Sequence, residues 1–229
     1  MTTAPAALLI DALGTLVRLE PPAPRLRAEL AARFDVEVSE EEAGVALLKE
    51  IRFYRAHLDA GRDATSLAAL RERCAEVLRS ALPASERLAR IGTPELTGAL
   101  LAALQFSAFD DARPAILAAR NRGQRVVVAS NWDVSLHEVL ERIGLRPLLD
   151  GIVTSAEVGA RKPGPAVFER ALAVVGAHAA NAMHVGDSVD EDVRGAIAAG
   201  IEPVLLSRDG REAPPGVRRI TSLTELAGP

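Results

Sequence analysis

Short apolar runs that stop at a polar or small residue recur along the chain: AALLID (6–11), RVVVAS (125–130), GIVTS (151–155), AMHVGD (182–187) and EPVLLS (202–207). Runs of this length with almost no polar alternation predict strands buried on both faces. Between them the apolar positions fall at helical spacing. Leu136, Val139, Leu140 and Ile143 share one face with Gly144 as the stop, and Phe168, Ala171, Leu172 and Val175 share another before Gly176. Alternating strands and helices predict an α/β fold with a parallel sheet, which gathers its chemistry at the carboxyl ends of its strands. Asp11, Ser130 and Asp187 fall at those ends.

The alternation is interrupted early. Residues from about 18 to 104 contain no convincing strand and read as four helices, so 1–17 and 105–229 are expected to form the sheet-bearing core around a helical insertion, 18–104. The first helix is APRLRAELAARF. The second opens on a capping box, Ser39 with Glu42, and carries Leu47, Ile51, Tyr54 and Leu58 on one stripe. The third is SLAALRERCAEVLRSAL, and the fourth begins with Thr93 as N-cap followed by Pro94. The segment RDGREAPPGVRR (208–219) reads as a surface loop before a short final strand or turn.

Composition narrows the picture in three places. No apolar run approaches the roughly 20 residues a bilayer requires, and the N-terminal MTTAPAALLIDALG has no basic n-region, so no membrane partner is expected and the chain is placed in the cytoplasm. The net charge of -4 comes from interspersed signs and only 3% of residues are aromatic, which argues against a nucleic-acid partner. The one cysteine, Cys74, lies at helical spacing from Leu67, Leu70, Val77 and Leu78 and reads as a buried small hydrophobe. Basic residues are almost all arginine. The only lysines are Lys49 and Lys162, and lysine alone offers a compact ammonium. Lys49 sits mid-helix in the insertion and reads as a solvated position, as do Arg52 and Arg55. Trp132 fits either a cleft lining or the core.

Four segments stand in chain order after successive strands: DALGTL (11–16), SNWD (130–133), RKPGPAVF (161–168) and VGDSVDEDVRGA (185–196). A carboxylate held in line is a competent nucleophile, and Asp11 is the candidate. Gly14 lets the chain turn sharply behind it. Together the four segments resemble the signature motifs of the haloacid dehalogenase superfamily, and the helical insertion resembles that superfamily's α-helical cap. The resemblance covers the whole chain. It implies a Rossmann-like parallel-sheet core and an aspartyl nucleophile, Asp11, assisted by Lys162, whose ammonium offsets the charge gathered there. It further implies Thr15, Ser130 and Asn131 as binders of a phosphoryl group or substrate carboxylate, Asn131 also bracing the loop. A magnesium ion is implied on Asp11, Asp187 and the Leu13 carbonyl, with Asp192 ligating directly or through water; hard oxygen ligands suit that ion. Asp133 reads as an N-cap, and Asp190 and Glu191 as charges suited to a helix N-terminus. The four histidines, His57, His137, His178 and His184, show no metal-ligand spacing and read as structural or exposed.

Two departures qualify the resemblance. Most phosphatases of the superfamily carry a second aspartate two residues after the nucleophile, where this chain has Leu13. Loss of a general acid/base typically lowers a rate about 10²- to 10⁴-fold. Leaving groups that depart without a proton, such as aryl oxides, phosphate or halide, are less affected. Haloacid dehalogenases lack that aspartate too, but they carry a serine where this chain has Asp187, and a substrate-binding arginine near the position of Glu42. Gly164 stands in KPGP where the family usually has an N-capping aspartate. The reading is therefore a magnesium-dependent phosphoryl hydrolase acting on a small anionic metabolite. Its alternatives are a 2-haloacid dehalogenase-type hydrolase and a non-catalytic ligand-binding or regulatory protein. Substrate identity and oligomeric state stay open.

Overall fold

The computed structural model describes residues 5–227. The outer ends of the segments assigned to the core, and the first residues of the stretch read as free of a targeting signal, lie outside the described residues. In chain order the elements are β1 (Ala7–Ile10), β2 (Val17–Leu19), α1 (Pro22–Phe34), α2 (Glu40–His57), α3 (Ala64–Ala81), α4 (Glu86–Arg90), α5 (Thr93–Ala103), β3 (Phe106–Ala108) and α6 (Ala112–Asn121). There follow β4 (Arg125–Ser130), α7 (Leu136–Arg142), β5 (Gly151–Thr154), α8 (Ser155–Val158), α9 (Ala166–Val175), β6 (Ala182–Gly186), α10 (Arg194–Ala198), β7 (Glu202–Leu206) and β8 (Arg218–Ile220). Two compact units result, one of Met1–Arg18 with Ser107–Pro229 and one of Leu19–Phe106.

The first unit is α/β. Among the described residues six strands form a sheet in the order β5-β4-β1-β6-β7-β8, and the neighbouring strands run parallel. The chain builds outward from β1 through β4 to β5, then returns to the other side of β1 for β6, β7 and β8. The boundary between β1 and β6 is thus a topological switch point, the place where open parallel sheets bind ligands. β1 lies between β4 and β6, with Ile10 level with Val128 of β4 and Val185 of β6. The whole of β1 is buried, as its unbroken apolar run predicts. Phe168, Ala171 and Leu172 of α9 pack with Leu9, Val127, Ala129 and Val153 in one core cluster.

The second unit is helical. Leu26 and Leu30 of α1, Leu47 of α2, Leu70, Cys74 and Leu78 of α3, and Leu96 and Leu100 of α5 make its core. Ser39 accepts from the Glu42 amide while Glu42 accepts from the Ser39 amide, which is the expected capping box. Lys49, Arg52 and Arg55 are exposed.

Several local expectations need correction. The helical stretch contains an extra short helix, α4, capped by Ser85; its five residues are too few to show a period. The two-stranded β2–β3 sheet, where the chain passes between units, is likewise too short to declare itself. The N-cap of α5 is Gly92, because Thr93 already belongs to the first turn and its hydroxyl is bonded to Glu76. Asp133 accepts from the Ser135 amide and so closes the turn ahead of α7, whose N-cap is Ser135. The N-cap of α9 is Pro165, with Gly164 one residue outside. No described helix is long and apolar enough to cross a membrane.

Candidate active site

Parallel pairing around β1 brings three of the motifs together. Asp11 follows β1, Ser130 ends β4 and Asp187 follows β6, so they stand side by side at one edge of the sheet. The fourth motif continues past Asp187 into a π-helical turn, Val189–Val193, rather than opening directly as α-helix. The wider turn carries Asp192, whose amide donates to Ser188 O at 3.0 Å. Lys162 lies in the turn before α9, with its side chain fully buried.

Asp11 is 7% exposed. Its Oδ1 accepts from Ser130 Oγ at 3.0 Å and from Lys162 Nζ at 2.7 Å. Lys162 Nζ also reaches Asp192 Oδ1 at 2.5 Å, and that oxygen lies 2.9 Å from His184 Nε2. Asp192 Oδ2 accepts from the Ser188 amide at 3.0 Å. Asn131 uses both ends of its amide on one backbone residue: Nδ2 donates to Lys162 O at 3.0 Å and Oδ1 accepts from Lys162 N at 2.8 Å. Glu191, assigned to a helix N-terminus, is pushed above the ordinary carboxyl range by burial, with Lys162 and the Asn131 side chain opposing the shift. Thr15 is wholly buried; its hydroxyl has no partner among the described residues, and its carbonyl accepts from Arg208 at 2.9 Å. Leu13 is half-buried. Trp132 is buried.

Two glycines permit this closeness. Gly14 sits at φ +85°, and a methyl there would strike the Asp187 carboxylate, whose Cγ would be 2.7 Å away. A methyl on Gly186 would collide with Asp192, 2.6 Å from its Cβ.

Charge is unevenly matched here. Burial opposes ionisation of Asp192, yet Lys162 and His184 outweigh it and hold that carboxyl well below the ordinary range. Burial likewise opposes the Lys162 ammonium, but Asp11 and Asp192 prevail and keep it protonated above its usual value. For Asp11 burial wins, and its carboxyl titrates above the ordinary range despite Lys162. Asp187 is pushed up to about 6 by burial and by the neighbouring Asp11 and Asp192 charges. Oxygens of Asp11, Asp187 and Asp192 lie within 4.8 Å of one another. An all-oxygen, net-negative donor set of this kind fits a hard divalent cation.

His184 is the residue that spacing did not single out. Its contact with Asp192 crosses eight residues of sequence. One signal was present: it is the lone ionisable side chain inside an otherwise apolar buried strand.

The sequence signature of the haloacid dehalogenase-like hydrolases matches residues 5–200, and the chain belongs to that family. It is similar to haloacid dehalogenase-like hydrolase domain-containing protein 3 of Bos taurus, 39% identical over 88 residues, or 38% of this chain and 35% of that protein. It is also similar to a glyceraldehyde 3-phosphate phosphatase of Methanothermobacter thermautotrophicus, 33% identical over 106 residues, 46% of this chain and 47% of that one. The chain thus spans from a third to about half of the length of these two relatives. A solved defluorinating L-2-haloacid dehalogenase shares the fold, with a TM-score of 0.72 at 23% identity over 96% of this chain and 93% of that one.

Proposed function

We propose that this chain is a magnesium-dependent phosphoryl hydrolase that uses Asp11 as nucleophile on a small phosphorylated metabolite. The observation that carries the reading is the convergence of Asp187 with Asp11 and Asp192. These are three carboxylates facing one ammonium, Lys162, so with all four ionised the cluster sums to -3 + 1 = -2. One divalent cation balances that excess and allows an anionic substrate to approach. Asp11, Asp187 and the Leu13 carbonyl would hold it, with Asp192 directly or through water. When bound, magnesium supplies charge neutralisation and orientation of the phosphoryl oxygens.

The protein's own groups have distinct work. An Asp11 carboxylate oxygen attacks phosphorus and the bond to the leaving oxygen breaks, its electron pair going to the leaving group; water then attacks the phosphorus of the aspartyl-phosphate, which frees inorganic phosphate and restores the Asp11 carboxylate. Lys162 and the Ser130 hydroxyl steady the negative charge collected around Asp11. Thr15 has an unpartnered hydroxyl to offer, and Asn131 keeps the Lys162 backbone in place. Similarity to a protein named as a glyceraldehyde 3-phosphate phosphatase supports this direction.

Leu13 favours a second reading. An aspartate can displace halide with neither acid nor metal, so a dehalogenase needs nothing where Leu13 stands. Against it, Asp187 would add an unneutralised carboxylate that repels a haloacid. The test is a screen of p-nitrophenyl phosphate, a phosphate-ester panel, and chloroacetate or 2-chloropropionate, each with magnesium and with chelator. Magnesium-dependent phosphate release is expected. Halide release that survives chelator would replace this reading with the second, and no turnover of any substrate would favour a binding or regulatory role.

A further inference from the structure

His184 occupies a position where a side chain that served only packing would be apolar. It sits in β6, level with Leu9 of β1 and Pro203 of β7, and is 1% exposed. The Phe168 ring meets it edge-on at 5.0 Å. Nδ1 is buried with no partner among the described residues, so the ring carries an unmet polar atom that an aliphatic residue would avoid. Its polar contact is made by Nε2, on Asp192 Oδ1 at 2.9 Å. Facing a carboxylate oxygen, Nε2 is the nitrogen that bears hydrogen.

That contact falls at a junction. Asp192 Oδ1 is shared by His184 Nε2 and Lys162 Nζ, and Lys162 Nζ is shared in turn by Asp192 and Asp11. With Oδ2 tied to the Ser188 amide, the Asp192 carboxylate is fixed at both oxygens. Released from His184, Oδ1 would be free to turn toward Lys162 alone and to draw the ammonium from Asp11. Asn131 holds the same lysine from the other end, by its backbone.

We infer that His184 is a positioning residue, which holds Asp192 and through it sets the Lys162 ammonium against Asp11. The inference rests on the proposed role of Lys162 beside a nucleophilic Asp11. Removal of such an outer contact typically lowers activity about 10- to 100-fold.

The chain has only two lysines, Lys49 and Lys162, so the full-length protein labelled with ¹⁵N-lysine has just two ammonium groups to observe. Lys49 is exposed and Lys162 buried. In His184→Leu the Lys162 ammonium resonance should shift or lose its protection from solvent exchange. In His184→Gln, whose amide can donate from nearly the same place as Nε2, it should largely return. With p-nitrophenyl phosphate and magnesium, kcat should fall about 10- to 100-fold in His184→Leu with KM little changed, and recover in His184→Gln. Thermal midpoints should not fall in parallel, since leucine removes the unmet nitrogen. An unmoved Lys162 resonance in His184→Leu overturns the inference. So does a loss of kcat that follows loss of stability and that glutamine does not rescue. If the wild type releases no phosphate, the functional reading fails by itself, and the lysine resonance still decides the role of His184.

Discussion

The two units each bury carboxyl groups, and they give them different partners. In the α/β unit Asp11 and Asp192 share the Lys162 ammonium, with Asp187 beside them. In the helical unit Glu50 of α2 is 3% exposed and has the Cys74 thiol as its hydrogen-bond partner, with no ion pair of its own among the described residues. Burial therefore pushes Glu50 up to about 7, and the thiol offsets this only in part. One region offsets burial with a cation, which holds Asp192 ionised and opposes, without overcoming, the upward shift at Asp11. The other lets a single acid go neutral. Burial of a carboxyl group thus says little about function until its partners are counted.

The strongest way to break this contrast is at Asp11, the proposed nucleophile. Asp11→Asn keeps the shape of the side chain but removes the attacking carboxylate, so turnover on the best substrate should drop to background while circular dichroism and the thermal midpoint stay native-like. Near wild-type turnover in this variant would end the proposed chemistry.

Next in size is the shared cation. Lys162→Met should destabilise the fold by about 3–5 kcal/mol in chelator, because it strands Asp11 and Asp192 as buried charges without their partner. Urea denaturation measures this, and adding magnesium should restore part of the loss. A variant as stable as wild type would mean that the lysine is not what balances these acids.

The helical unit predicts a pH effect of known sign. The folded pKa of Glu50, about 7, exceeds its ordinary value of 4.5, so between those pH values the folded state binds more protons than the unfolded state. Stability must then decline as pH rises through that window, by about 3 kcal/mol for a shift of this size, and level off above it. Glu50→Gln should remove this component. Denaturation midpoints with identical pH profiles in the two proteins would contradict it.

Much of this was legible in the sequence, for reasons that differ between parts. The five short apolar runs matched β1, β4, β5, β6 and β7 because a strand covered on both faces is apolar along most of its length. The convergence of Asp11, Ser130 and Asp187 followed from the rule that parallel sheets aim successive strand ends one way. β2, β3 and α4 escaped because β2 and β3 carry a polar residue in the middle of three, and the five residues of α4 make little more than one turn, so neither an apolar run nor a repeated face marks them. His184 escaped for another reason. Its importance lies in a contact with Asp192, and a contact made across a π-helical turn has no spacing rule to announce it. Glu50 was equally silent, since a glutamate on a helix reads as solvated until the bundle closes over it.

The smallest expected effect concerns what the site lacks. If the cluster around Asp11 is built for phosphoryl transfer, Leu13→Asp should raise phosphate monoester hydrolysis at least about tenfold. The gain should be larger for alkyl than for aryl esters, because an alkoxide needs a proton to leave and p-nitrophenolate does not. Equal or lower rates for both classes, in a folded variant that still binds magnesium, would show that Leu13 does not limit the reaction.

The most direct test of the account is calorimetric titration of the purified, chelator-treated chain with magnesium at neutral pH, beside Asp187→Ala. The account predicts one site in the wild type and none in the variant, because Asp187 is the carboxylate of the three that makes no ion pair among the described residues. Absence of binding to the wild type, or undiminished binding to Asp187→Ala, would contradict it.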